Sequence, residues 1–152
     1  MKKIDIEATP VRRGSRYPAP HDAPCRDRMR QALGDAAGLA QFGVNLLTLP
    51  PGAWSSQRHW HSAEDEFVMV LEGEVVLITD AGEELLGPGD CAGFKAGEAD
   101  GHHLVNRGPA AARVLEVGFR SDADGVDYSD IDMIIRPGDD HARHKDGRPY
   151  ES

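Results

Sequence analysis

The sequence predicts an all-β fold, an antiparallel sandwich or barrel of the jelly-roll kind. Between residues 41 and 119, short apolar runs alternate with turn signals such as PPG at 50–52 and GPGD at 87–90, and no run has helical periodicity. Short strands at this spacing are typical of jelly rolls. The predicted strands are 41–49, 54–61, 66–71, 75–79, 84–86, 91–94, 102–106 and 112–119.

The chain has 152 residues, the size of one domain, and its composition changes along its length. We expect an N-terminal arm over 1–34, a β-barrel over 35–120, and a C-terminal strand and tail over 121–152 that pack on the barrel. The arm is proline-rich and extended, with two helical turns predicted over 26–34. The run IDMII, 131–135, predicts one more strand or a hydrophobic strap, followed by an irregular polar tail.

The charge distribution indicates which binding partners to expect. The net charge of −9 repels a phosphate backbone and argues against nucleic-acid binding. Residues 1–34 nevertheless hold 8 of the 17 Lys and Arg and only 4 of the 26 Asp and Glu. This basic arm is predicted to lie on an acidic body, its own or a neighbour's, and a solvated tail is the alternative. Open sheet edges add the expectation of a homodimer.

The compartment is predicted from what the sequence lacks. No apolar run approaches the length of a membrane helix, and the first residues lack the apolar region of a signal peptide. We therefore expect a soluble, cytoplasmic protein with no membrane partner. Cys25 and Cys91 lie in no recognisable motif, so reduced thiols are expected and neither cysteine is chosen as a metal ligand.

A metal-ligand pattern lies in the middle of the chain. His59 and His61 are two residues apart, so on a strand both imidazoles lie on one face. Glu66 opens the next predicted strand, and antiparallel pairing would bring its carboxylate beside them. A fourth ligand is expected further along, where the sequence offers His102. The alternative interpretation is surface histidines on an edge strand beside a solvated acidic turn at 64–66.

These residues carry a resemblance to a known family. Gly52–Gly73 resembles the first motif of the cupins, small β-barrel proteins in which a glycine precedes His-x-His, a glutamate follows, and a glycine closes the hairpin. Gly87–Asn106 resembles the second motif, which supplies a last histidine and an asparagine four residues later. The resemblance implies a cupin barrel, often dimeric, with one metal ion held by His59, His61, Glu66 and His102.

The second motif departs from the family pattern. Four residues rather than two separate Gly97 from His102, and Lys95 stands where the family usually has proline. His102 and His103 point to opposite faces of a strand, so only one of them can join the other ligands. The interval to Asn106 favours His102, because Asn106 follows it by four residues.

The predicted ligand set indicates the class of metal ion but does not determine which ion is bound or which reaction takes place. Three imidazoles and a carboxylate suit one divalent transition metal ion, Fe, Mn, Ni, Cu or Zn, and leave two positions open on an octahedral ion. The first hypothesis is a small-molecule enzyme, a dioxygenase or a sugar or sugar-phosphate isomerase, whose catalytic residues the sequence does not identify. The second is a non-catalytic module that binds or senses a small molecule through the metal.

Overall fold

The computed structural model describes residues 3–151 and confirms the all-β, antiparallel jelly-roll fold. Helical structure in this range is limited to a 3-10 turn, Ala23–Cys25, and one short helix α1, Leu33–Ala36. The strands are β1 (Val11–Arg13), β2 (Met29–Ala32), β3 (Phe42–Leu49), β4 (His59–His61), β5 (Glu66–Glu72), β6 (Val75–Thr79), β7 (Gly82–Leu86), β8 (Cys91–Phe94), β9 (His103–Val105), β10 (Ala112–Phe119), β11 (Val126–Tyr128) and β12 (Ile134–Ile135).

Three antiparallel sheets enclose the core. The largest has the order β1-β2-β3-β10-β5-β8, and the two smaller ones have the orders β7-β6-β9 and β12-β11-β4. Side chains alternate along each strand, so one face of the large sheet is turned inward. Its apolar inward residues meet those of β6 and β9 in one core, which includes Leu47, Val70, Val75, Leu104 and Val114.

The inward face of the large sheet also carries polar residues. Cross-strand partners share a face, and Glu66 on β5 is the partner of Gly118 on β10. Two residues before Gly118, Glu116 pairs with Asn45 of β3 and with Val68 of β5. One end of the barrel interior is therefore polar, although the other end is filled by aliphatic side chains.

The two helical turns predicted over 26–34 are wrong. Met29–Ala32 forms strand β2, which pairs with β3 from Met29↔Thr48 to Ala32↔Asn45. The free edge of β3 supplies hydrogen-bonding partners to this backbone, and two isolated helical turns could not compete with them. β1 then pairs with β2, so the arm lies on its own chain as a continuation of the large sheet.

The C-terminal segment contains a strand that the sequence did not predict. β11 lies in the acidic link after the barrel and pairs with β4 on one side and β12 on the other. β12 corresponds to the last two residues of the predicted 131–135 strand, and Met133 just before it is fully buried. The predicted strand over 54–61 is regular only over 59–61.

Two further observations concern the cysteines and the helices. Cys25 is buried and Cys91 is exposed, and both thiols are free. Within residues 3–151, no helix has the length and apolar character needed to cross a membrane.

Candidate metal centre

The four predicted ligands come from three neighbouring backbone segments. His59 and His61 are the ends of the three-residue strand β4, and Glu66 is the first residue of β5. His102 precedes β9 and forms an isolated antiparallel bridge with His59, with backbone N–O distances of 2.9 and 3.2 Å. Because directly paired residues share a face, this bridge places the imidazoles of His59 and His102 on the same side.

The structure brings all four side chains together around one carboxylate oxygen. Oε2 of Glu66 lies 3.9 Å from Nε2 of His59, 3.5 Å from Nε2 of His61 and 2.8 Å from Nε2 of His102. Nitrogen and oxygen ligands bind a transition metal at about 2.0–2.2 Å, so an ion between these atoms needs only small side-chain movements. The donor set therefore fits a divalent transition metal ion, and metal binding by these residues stays a prediction.

Hydrogen bonds orient two of the imidazoles for metal binding. Nδ1–H of His59 donates to the carbonyl oxygen of Gln57 at 2.8 Å, and Nδ1–H of His61 donates to the carboxylate of Asp124 at 2.6 Å. A carbonyl and a carboxylate only accept, so in each neutral ring the proton lies on Nδ1 and the lone pair lies on Nε2. Both lone pairs thus face Glu66.

His102 has the opposite arrangement. Its Nε2–H donates to Glu66, and its Nδ1 is buried without a hydrogen-bonding partner in residues 3–151. Phe94 stacks on the imidazole with ring centroids 3.5 Å apart and fixes its plane. Metal binding at Nε2 would displace the proton that His102 shares with Glu66.

The electrostatics favour the metal-binding protonation states of His59 and Glu66. Burial lowers the pKa of His59 to about 4 against the opposing effect of the Glu66 carboxylate, and the neighbouring imidazoles lower it further, so His59 is neutral at pH 7. Burial alone would raise the pKa of Glu66, but the hydrogen bond from His102 and the surrounding histidines lower it to about 2. At neutral pH the site thus offers uncharged imidazole nitrogen and an ionised carboxylate.

Asp124 is a site residue that the sequence analysis missed. Its Oδ2 accepts from Nδ1–H of His61 and its Oδ1 accepts from the backbone N–H of Ala63 at 2.8 Å. A carboxylate behind a metal-binding histidine fixes its tautomer and makes it a stronger ligand. Asp124 follows His61 by 63 residues in an acidic link, and no spacing in the sequence marks it.

His103 lies outside the cluster, although it neighbours His102. It is buried, its Nδ1 donates to the carbonyl oxygen of Ser56 at 2.9 Å, and Trp54 packs edge-on against its ring. Burial lowers the pKa of His103, so it is a neutral core histidine. Trp60, which lies between His59 and His61 in the sequence, and Lys95 line a smaller cavity beside the ligands.

Arg58 directly precedes β4 and forms ion pairs and a hydrogen bond beside the ligands. Its guanidinium forms a bidentate pair with Asp130, with both distances 2.8 Å, and also contacts Asp80 and the carbonyl oxygen of Gly101. These contacts tie β4 to the loop that carries His102. Gly101 itself admits no side chain, because a Cβ there would lie 2.0 Å from Oγ of Ser129.

Two cavities meet at the ligand cluster. The larger, about 210 Å³, lies along the inner face of the large sheet and is lined by Arg30, Asn45, Glu116 and Arg120 besides the ligands His59, Glu66 and His102. The smaller, about 180 Å³, has Lys95 as its lining cation and four acidic residues, Glu64, Glu66, Glu98 and Asp100. A ligand entering either cavity reaches the predicted metal position. Glu64 lines the larger cavity as well, so its two arginines face three glutamates, whereas the smaller cavity has one lysine against four acidic residues and is the less suited to an anion.

The fold and the donor set define the class: a small antiparallel β-barrel with three histidines and one glutamate converging inside it. Residues 45–118 match the family model of the cupin domain. The chain is 46% identical to a sugar phosphate isomerase of the cupin superfamily from Silicibacter pomeroyi, whose structure superposes with a TM-score of 0.94 over 99% of this chain and 98% of that chain. The protein belongs to the cupin superfamily.

Two further solved structures extend the comparison. A proposed sugar phosphate isomerase from Acidithiobacillus ferrooxidans is 30% identical, with a TM-score of 0.72 over 83% of this chain and 81% of that chain. A polyketide cyclase from Streptomyces resistomycificus is 21% identical, with a TM-score of 0.63 over 78% and 79%, and shares the fold. No curated protein matches the sequence.

Proposed function

We propose that this protein is a metal-dependent isomerase of sugar phosphates. The observation that carries the proposal is the convergence of three imidazoles and Glu66 at the end of a polar cavity that also holds carboxyl groups outside the ligand set. Two solved relatives, 46% and 30% identical, are described as sugar phosphate isomerases, one of them as a proposal, which favours this reaction over oxygen chemistry.

An aldose and its ketose differ in the position of one carbonyl group and one carbon-bound hydrogen. The reaction needs a group that polarises the carbonyl oxygen and a group that takes a proton from one carbon and returns it to the next. A divalent ion held by His59, His61, Glu66 and His102 supplies the first, as a Lewis acid. The chain itself must supply the second and must hold the substrate in place.

A carboxyl group outside the predicted ligand set can serve as the acid–base group. Glu64 lines the larger cavity. Burial raises the pKa of Glu64 above the ordinary glutamate value, a direction that favours a carboxyl group that both accepts and returns a proton. Glu64 accepts from the backbone N–H of Ser121 at 2.8 Å, so one of its oxygens is already engaged.

The proposal is tested by exchange at carbon. Protein loaded with Mn²⁺, Fe²⁺, Co²⁺, Ni²⁺ or Zn²⁺ would be incubated in deuterium oxide with a panel of aldose and ketose phosphates of four to six carbons. Interconversion with deuterium at carbon 1 or 2, lost on metal removal and in Glu66→Gln, is the expected result. Oxygen uptake would be followed in the same reactions.

Two outcomes would replace the proposal. Oxygen consumption without isomerisation would identify a dioxygenase. Stoichiometric metal binding with no turnover, but with saturable binding of a sugar phosphate, would identify the non-catalytic binding or sensing module.

A further inference from the structure

Arg30 and Glu116 form an ion pair on the inner wall of the larger cavity, outside the predicted ligand set. The guanidinium NH2 of Arg30 lies 3.2 Å from Oε2 of Glu116. Glu116 is on β10, two residues before the cross-strand partner of Glu66, and faces inward as Glu66 does. The pair therefore lies next to the candidate metal centre on the same wall.

This pair leaves hydrogen-bonding capacity unused. Nε of Arg30 and Oε2 of Glu116 are both buried, and within the described range 3–151 neither has a partner of hydrogen-bonding geometry. Such atoms are rare in folded proteins, and a polar group, such as a water molecule or a ligand hydroxyl, commonly pairs with them. One of these two atoms is a donor and the other an acceptor, and both residues line the same cavity.

The chemistry of the two atoms selects their ligand. A hydroxyl group that enters the cavity can, after small side-chain movements that uncover the two atoms, accept from Nε–H of Arg30 and donate to Oε2 of Glu116 at the same time. A phosphate or carboxylate group only accepts and would be repelled by the Glu116 carboxylate. The opposite charges of the pair cancel, so the pair is suited to a neutral polar group.

The wall between the pair and the metal position has room for a carbon chain. Gly43 and Gly118 are cross-strand partners in the same row as Glu66, and both line the cavity. A Cβ at Gly118 would lie 3.8 Å from Cγ of Glu66, so the glycine keeps the space beside the ligand open. A substrate with its carbonyl at the metal position can thus extend along β10 towards Glu116.

We propose that Arg30 and Glu116 bind a hydroxyl group on the carbon chain of the substrate and so make the enzyme select polyhydroxylated substrates in the larger cavity. The inference rests on the proposed function, because it assumes that the reacting carbons lie at the candidate metal centre. It adds the residues that determine specificity and the cavity in which the substrate lies.

The test compares ligands with and without hydroxyl groups. The full chain loaded with Co²⁺ would be titrated by calorimetry with ribitol, arabinitol and xylitol 5-phosphates, which have no carbonyl group and cannot be isomerised. The matched ligand is 1,5-pentanediol monophosphate, which keeps the phosphate and the chain length. We expect wild-type protein to prefer at least one pentitol phosphate by about tenfold or more, as one charge-assisted hydrogen bond provides.

The variant Arg30→Met with Glu116→Leu removes the pair with little change in volume, a replacement that buried ion pairs commonly tolerate. The preference should fall to about twofold or less, with Co²⁺ content and thermal unfolding unchanged. Glu116→Gln, which keeps the shape of the side chain, should lower it as well. The control is Glu72→Gln with Arg113→Gln, an exposed pair between β5 and β10, which should keep the full preference.

The outcomes separate this inference from the proposed function. If wild-type protein binds none of these ligands, the sugar phosphate proposal fails and the inference fails with it. If wild-type protein prefers a pentitol phosphate and both Arg30–Glu116 variants keep that preference, only the assignment of this pair is overturned. If Lys95→Gln alone weakens binding, the substrate lies in the smaller cavity, and the inference is wrong.

Discussion

Asp124→Asn should weaken metal binding although Asp124 is not a predicted ligand. The carboxylate accepts two hydrogen bonds, from Nδ1–H of His61 at 2.6 Å and from the N–H of Ala63 at 2.8 Å. An asparagine of the same shape has only one oxygen to offer. Either its amino group meets the N–H of Ala63, or that amino group faces His61 and shifts the imidazole proton from Nδ1 to Nε2, the atom that points at Glu66.

The expected loss of metal affinity follows from the loss of the hydrogen bond that orients His61. Removing the partner of a metal-bound histidine typically costs 10- to 100-fold in metal affinity, which corresponds to about 1.4–2.7 kcal/mol. The assay is competition for Zn²⁺ or Co²⁺ against a chromophoric chelator, with folding checked by thermal unfolding. We expect the dissociation constant of Asp124→Asn to rise within this range.

The matched control is Asp127→Asn, three residues along the same segment. Its carboxylate pairs with Nζ of Lys145 at 2.9 Å and faces away from the ligands. Loss of this partly exposed pair should leave metal affinity unchanged. If folded Asp124→Asn binds metal as tightly as wild type, or if both variants weaken it equally, then Asp124 does not act through the tautomer of His61.

Three further predictions concern the site and the assembly. His102→Ala should empty the metal site, whereas His103→Ala should keep it, as metal content per folded chain would show; the reverse result would reassign the fourth ligand. Because the pKa of folded His59, about 4, lies below its ordinary value of 6.5, unfolding takes up protons in this range. Metal-free protein should therefore lose about 2 kcal/mol of stability between pH 7.5 and pH 5, measured by urea unfolding, and a flat profile would contradict this. We also propose a homodimer through the outer face of the large sheet, where Phe42, Phe67 and Phe119 are 39%, 38% and 51% exposed. Light scattering should find a dimer for wild type and a monomer for Phe119→Asp, and a monomeric wild type would refute the interface.

The barrel strands were predictable because their signals are local. Alternation and turn residues mark the segments from β5 to β10, and the two-residue interval between His59 and His61 places both on one face whatever else the chain does. β2 and β11 have no comparable signal. They form because distant strands offer them free edges, at β3 for the arm and at β4 for the C-terminal link.

The position of the predicted ligands depends on pairing between segments that are distant in sequence. β4 has only three residues, and it is held by β11 on one side and by the bridge between His59 and His102 on the other. β11 begins two residues after Asp124, so the same segment aligns β4 and orients His61.

The cupin match, residues 45–118, contains all four predicted ligands and Glu116 but neither Asp124 nor Arg30. The match therefore includes the residues that are predicted to bind the metal at the centre of the barrel. The proposed tuning of the metal through Asp124 and the proposed selection of the substrate through Arg30 depend on the two segments that flank the match. Because the arm reaches the inner wall through Arg30 and the C-terminal segment reaches His61 through Asp124, both belong to the proposed active site.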